Sequence, residues 1–133
     1  MIFIIIFITG LSVFQILYLK KGMKIIAILS NLFYLISTIL TYFRNPGTVY
    51  RFGQRSRKKY CKYCNYDYPF NRDLYHCHKC GICVIGIDHH CGVFGKCIAK
   101  NNLIWFYCFT FMTSIIILFF LGTLVYILTE FPS

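Results

Sequence analysis

Three long runs without a single Asp, Glu, Lys, Arg or His, at residues 1–19, 25–43 and 103–128, bracket a polar middle segment. Uncharged runs of this length match the hydrocarbon thickness of a bilayer. They predict three transmembrane helices, at about 2–19, 25–43 and 103–128. The third run holds 26 residues, roughly 39 Å as a helix, which fits one tilted span and not two spans with a turn. The first run lacks a basic start and a small-residue cleavage site, so a retained helix is expected in place of a cleaved signal peptide. Between the first two runs, Leu19-Lys20-Lys21-Gly22-Met23-Lys24 leaves room only for a tight turn, making those helices antiparallel neighbours. Gln15 and Asn31 then fall at similar depth and are expected to hydrogen-bond across the pair. Pro46 and Gly47 end the second helix and turn the chain along the membrane surface.

Composition agrees with a membrane setting. Of 133 residues 58% are hydrophobic and 20% aromatic, with a mean hydropathy of +0.62, which excludes an ordinary soluble domain of this size. The formal charge is +10, and eleven of the fourteen Lys and Arg lie in residues 44–102. Positive-inside counting therefore places the middle segment in the cytosol, with a cytosolic N-terminus and a lumenal C-terminus. Part of that charge is the stretch from Arg51 to Lys62, which carries Arg51, Arg55, Arg57, Lys58, Lys59 and Lys62. It reads first as a polybasic segment lying on anionic lipid. A sharper reading has some of these side chains bind the phosphates of an anionic cosubstrate. Nucleic acid is the weakest reading, because the stretch is tethered between membrane spans.

The middle segment also carries the chemistry. Between Cys61 and Cys97 lie seven of the eight cysteines and all four histidines. In the reducing cytosol these are expected to be metal ligands and free thiol, not disulfides. Cys-x2-Cys pairs at Cys61/Cys64 and Cys77/Cys80 fit zinc knuckles, and each needs two partners from downstream. An offset pairing supplies them evenly: Cys61, Cys64, His76 and Cys83 for one zinc, and Cys77, Cys80, His90 and Cys97 for the other. Closed four-ligand sites of this kind are structural. His78, His89 and Cys91 remain. His89 is placed to deprotonate Cys91, with Asp88 orienting the imidazole, which makes Cys91 a thiolate nucleophile at the membrane surface. His78 is expected to be solvated, and Cys108 to be a packing residue in the third span.

From Asn45 to Phe106 the chain resembles the DHHC protein S-acyltransferases, or palmitoyltransferases. The resemblance rests on the ligand order above, the run Asp88-His89-His90-Cys91, Pro69 five residues after Cys64, Cys97-x4-Asn102-x3-Phe106, and Asn45-Pro46-Gly47, which is similar to the family's Asp-Pro-Gly. It implies the same two-zinc pairing, His89 as base and Asp88 as its orienting partner. It also implies a two-step reaction in which Cys91 takes a fatty acyl group from acyl-CoA and passes it to a cysteine of a membrane-associated protein. The chain departs from the family in several places. The Cys64-to-His76 spacing is two residues longer, Tyr68 stands where a basic residue is expected, and Gly92-Val93 replaces Pro-Trp. Lys96-Cys97-Ile98-Ala99 stands for Asn-Cys-Val-Gly. Family members usually have four spans, so an acyl cavity built from this chain's three would need an accessory subunit or a second copy to close it.

The expected protein is thus an all-α integral membrane protein. Residues 1–43 form a transmembrane hairpin, residues 44–102 a cytosolic, loop-rich, two-zinc domain, and residues 103–133 a third helix with a short lumenal tail. Its expected setting is an endomembrane, ER or Golgi. The expected partners are acyl-CoA, the lipid bilayer and membrane-associated proteins with cytosolic cysteines, without nucleic acid. The alternative is a catalytically inactive, membrane-anchored zinc scaffold of the same family.

Overall fold

Uncharged, strongly helix-compatible runs become helices in the computed structural model, which describes residues 2–19, 21–49, 58–69 and 73–130. The first is α1 (Ile2–Tyr18), followed by α2 (Lys21–Phe43); after the polar middle comes α3 (Leu103–Glu130). Two of them, α2 with 23 residues and α3 with 28, are long and apolar enough to cross a membrane. At 17 residues α1 is apolar but shorter, so the three expected crossings reduce to two helices of full spanning length and one shorter companion. Helix α2 begins four residues before the expected start at 25 and takes in Lys21 and Lys24. Long lysine stems can lie along an apolar helix while their ammonium groups stay in water.

Two compact units make up the chain, one of Met1–Ile39 with Tyr107–Ser133 and one of Leu40–Phe106. In the first, the three helices pack through Ile8, Tyr34 and Ile116, all buried. Tyr34 meets Phe109 with ring centroids 5.6 Å apart, and Phe14 meets Phe120 at 5.5 Å. The expected Gln15–Asn31 bond does not form. Ser12 hydrogen-bonds Asn31, while Gln15 Nε2 donates to the Ile116 carbonyl of α3 at 2.8 Å. Each amide is thus engaged elsewhere, Asn31 also donating to the Ala27 carbonyl one turn back at 2.7 Å.

The second unit contains strands, so the chain is not all-α. Among the described residues six short strands form three antiparallel hairpins: β1 (Lys58–Cys61) with β2 (Tyr66–Pro69), β3 (Leu74–Cys77) with β4 (Ile82–Ile85), and β5 (Ile87–Cys91) with β6 (Lys96–Ala99). Apolar and β-branched residues favour extended backbone here. At four or five residues each, the strands are too short to show a period in sequence. All three hairpins turn alike, through four residues ending in a left-handed position: Asn65 (φ 51°), Gly81 (φ 66°) and Gly95 (φ 63°). Asn and Gly are the residues that tolerate this conformation. The cysteines Cys61, Cys77 and Cys91 each close the first strand of a hairpin. The three hairpins are therefore a structural repeat. At the turn, the third carries Phe94 where the first two carry Cys64 and Cys80.

The small core of this unit gathers Cys77, Val84, Cys97 and Ala99, with Cys80 and Ile87 packed against it. The chain leaving α2 is tied alongside β4 by Val49 N to Cys83 O at 3.1 Å and Ile85 N to Gly47 O at 3.0 Å. Asn45 Oδ1 accepts from Gly47 N and Thr48 N, at 2.8 and 2.9 Å, and forms the turn that follows the helix.

Candidate metal centres and active site

Each of the first two hairpins passes its Cys-x2-Cys pair to the hairpin that follows. Cys61 and Cys64, on β1 and its turn, meet His76 and Cys83, which are direct cross-strand partners in the second hairpin. Cys77 and Cys80 meet His90 and Cys97, direct partners in the third. Within each group one ligand atom per residue lies within 4.8 Å of all the others. Cys64 Sγ is 3.2 Å, Cys61 Sγ 3.6 Å and Cys83 Sγ 3.7 Å from His76 Nδ1. In the second group Cys80 and Cys77 lie 3.2 and 3.6 Å from His90 Nδ1, and Cys97 lies 3.4 Å from Cys80. Zinc with ordinary Zn–S and Zn–N lengths would set tetrahedron edges of about 3.8 Å between sulfurs and about 3.5 Å between sulfur and nitrogen. The observed separations fit that figure, and three thiols crowding one imidazole are better read as its edges than as a set of hydrogen bonds.

The electrostatics suit a cation. Burial, reinforced by neighbouring thiols, pushes the Cys83 thiol up to about 12 and raises Cys97 as well. Cys61 and Cys77 go the other way. Burial opposes their ionisation but is outweighed by hydrogen bonds, led by the backbone amides of Cys64 and Tyr63 for Cys61, and by the Cys80 amide and then the Cys97 thiol for Cys77. Tyr63 stacks on His76 with centroids 5.0 Å apart and holds that imidazole in place. His78 is exposed, but it is more than a solvated side chain. Its ring meets Tyr63 edge-on at 4.3 Å and His76 at 5.0 Å.

In the third hairpin strand alternation sets the metal-capable pair apart from the other Cys and His of the Asp88–Cys91 run. Side chains two apart share a face and direct cross-strand partners share it too. His90 and Cys97 therefore occupy one face, and His89, Cys91, Lys96 and Ile98 the other. The ladder slips between Ile87 and His89, which leaves Asp88 in a bulge. Adjacent residues of a regular strand point to opposite faces, but a bulge re-aims a side chain. Here Asp88 Oδ2 lies 3.0 Å from His89 Nδ1, the pair about half exposed. Holding Nδ1 leaves Nε2 as the nitrogen able to exchange a proton. The His89 ring also packs edge-on against Phe106 at 5.1 Å, and Phe106 in turn meets the buried Phe94 at 6.3 Å. Cys91 is buried, at 8% exposure, and belongs to neither ligand group. Among the described residues no hydrogen bond joins it to His89.

Asn102 carries more than its place in a spacing pattern suggests. Fully buried, it accepts from Ala99 N at 2.8 Å and donates to Cys97 O at 3.2 Å and Thr41 O at 3.4 Å. Lys96, which sequence marks only as a departure from the family pattern, holds carbonyls at the end of α2. Of the basic stretch, Arg51, Arg55 and Arg57 lie outside the described residues. Lys62 sits 5.0 Å over the Tyr63 ring.

A protein-family model described as DHHC palmitoyltransferase matches residues 54–133. The chain is similar to palmitoyltransferase erf2 of Emericella nidulans, 37% identical over 64 residues that cover 48% of this chain and 10% of that protein. It is similar to palmitoyltransferase ZDHHC14 of Homo sapiens, 37% over 67 residues covering 50% and 13%. The probable protein S-acyltransferase 6 of Arabidopsis thaliana is 38% identical over 64 residues, covering 48% and 15%. The matched part spans between 10% and 15% of the length of these three relatives.

Proposed function

The chain belongs to the DHHC palmitoyltransferase family, and from that premise we propose that it is a protein S-acyltransferase whose nucleophile is Cys91. The observation that carries the reading is the two-faced third hairpin: the ligands His90 and Cys97 on one face, and Cys91 with the Asp88-supported His89 on the other. In the first step His89 Nε2 takes the thiol proton. The Cys91 sulfur then attacks the thioester carbonyl of acyl-CoA, the bond from that carbonyl to the CoA sulfur breaks, and the proton returns to the departing CoA thiolate. In the second step a cysteine thiol of a membrane-associated protein gives its proton to His89 and attacks the acyl group on Cys91. Cys91 leaves as thiolate and recovers the proton. Thioester exchange is close to balanced in energy, so the residues have mainly to generate thiolate and hold geometry.

The groups Cys61, Cys64, His76, Cys83 and Cys77, Cys80, His90, Cys97 would each hold one zinc ion. Zinc bound by four protein ligands supplies folding free energy and fixes the hairpins relative to each other. In this reading the zinc unit faces the cytosol, where acyl-CoA is found, as the concentration of Lys and Arg in residues 44–102 supports. The membrane is an ER or Golgi membrane, and the clients are proteins with cysteines close to it.

Incubation of the purified protein with a long-chain alkyne acyl-CoA, followed by detection of a hydroxylamine-sensitive adduct, tests the assignment. Label on wild type and none on Cys91→Ser is expected. Absence of label on wild type, or equal label on the variant, would favour the inactive zinc scaffold.

A further inference from the structure

Lys96 is the direct cross-strand partner of Cys91, and its side chain leaves the hairpin altogether. Its ammonium donates to the backbone carbonyls of Tyr42 at 2.5 Å and Arg44 at 2.8 Å, and lies 5.9 Å over the Tyr42 ring. Helix α2 ends at Phe43. The last carbonyls of a helix have no partner within it and carry the negative end of its dipole. At this end Leu40 O is taken by Arg44 N, Thr41 O by Asn102 and Tyr42 O by Lys96. Strand β6 is thus hooked to one helix end from both of its own ends, by Lys96 at the start and by Asn102 just after its close.

We propose that Lys96 is a positioning residue for the nucleophile: by clamping the residue opposite Cys91 to the C-terminal end of α2, it sets where the Cys91 thiol stands relative to His89. A shared strand face brings the two side chains to the same side of the hairpin but does not by itself close the gap between them. A fixed partner strand limits how far Cys91 can stray. A lysine suits the position because one ammonium can serve two carbonyls at once, whereas a shorter amide side chain cannot cross from strand to helix. The catalytic consequence rests on the acyltransferase reading; the clamp does not.

The test uses the full chain in detergent or nanodiscs, with Lys96→Met to remove the donors while keeping the apolar stem, and Lys96→Arg to restore them. Three quantities are read: the acylation rate of Cys91 against acyl-CoA concentration, zinc per chain, and amide hydrogen exchange over residues 88–99. Lys96→Met is expected to slow acylation at saturating acyl-CoA about tenfold, the scale of a lost charged hydrogen bond. The half-saturating concentration and the zinc content stay at wild-type values, and exchange in the hairpin quickens. Lys96→Arg recovers most of the rate. Wild-type rate and exchange in Lys96→Met would overturn the proposal, as would failure of Lys96→Arg to recover anything. If wild type takes no acyl group, the transferase reading falls while the exchange measurement still decides the clamp: unchanged exchange in Lys96→Met refutes it.

Discussion

His90 and Cys97 stand directly opposite each other across the β5–β6 ladder, His90 lying 3.2 Å and Cys97 3.4 Å from Cys80 of the preceding hairpin. Cys91 follows His90 without an intervening residue, so an ion bound at His90 would also hold the backbone of Cys91, the proposed nucleophile. Replacing Cys97 by Ser is expected to reduce metal from about two zinc ions per chain to about one and to abolish acyl-enzyme. Cys64→Ser should cost the other zinc yet keep a measurable part of the labelling, because Cys91 keeps its own clamp. Elemental analysis of purified variants beside adduct detection checks both halves. Equal loss of activity in the two would show that the sites do not act separately.

Asp88 touches His89 at one partly exposed contact, so under the proposed mechanism its part would be orientation and the larger part the imidazole's. His89→Ala should slow single-turnover acylation by about a hundredfold or more, in keeping with the loss of a general base. Asp88→Asn should slow it by a smaller factor. Quenched-flow measurement of the acyl-enzyme burst ranks the two, and the reverse order would remove His89 from the base position.

Phe94 occupies the position of the second knuckle cysteine and is nearly fully buried, meeting Phe106, whose ring in turn meets His89. Phe94→Ala removes a buried aromatic and should destabilise the unit by roughly 3 kcal/mol. Phe94→Leu, which keeps most of the volume, should cost less than about 1.5 kcal/mol. Thermal unfolding of the two variants with zinc held in excess reports the difference. A near-equal pair would mean that the cavity around Phe94 collapses.

In the helical unit Gln15 and Asn31 use different partners, the Ile116 carbonyl for one and Ser12 for the other. Removing either should cost about 1 kcal/mol, and the costs of Gln15→Leu and Asn31→Leu should add. Ser12→Ala and Asn31→Leu, by contrast, remove the two ends of one bond and should show coupling. A double-mutant cycle by unfolding in mixed micelles separates the cases.

The ligand groups and the helices were legible in the chain because each rests on a local signal. A two-residue spacing between cysteines has a restricted geometry, and an uncharged run has few homes other than a bilayer. The strands were not legible: Leu74-Tyr75-His76-Cys77 gives one buried position over to a ligand and exposes Tyr75, so no alternation survives across four residues. Nor was the bulge that turns Asp88 onto His89, since nothing in Ile87-Asp88-His89 marks an extra residue in the ladder. Lys96 was hidden for a different reason. Its partners are backbone carbonyls some fifty residues earlier, and carbonyls have no sequence signature. Gln15 and Asn31 shared a depth on paper, and only the helix register revealed that each had another neighbour.

Because every metal group takes two cysteines from one hairpin and its histidine and last cysteine from the next, assembly has a direction fixed by synthesis. The first group cannot close until Cys83 has emerged from the ribosome, nor the second until Cys97 has. Cys91 therefore enters the cell as an unrestrained thiol and is secured only six residues later, just ahead of the apolar stretch that begins at Leu103. A nascent chain halted between those two points would offer the Cys91 thiol to any metal or oxidant at hand. Stalled chains ending before and after Cys97 should differ sharply in how readily that thiol is captured by a maleimide.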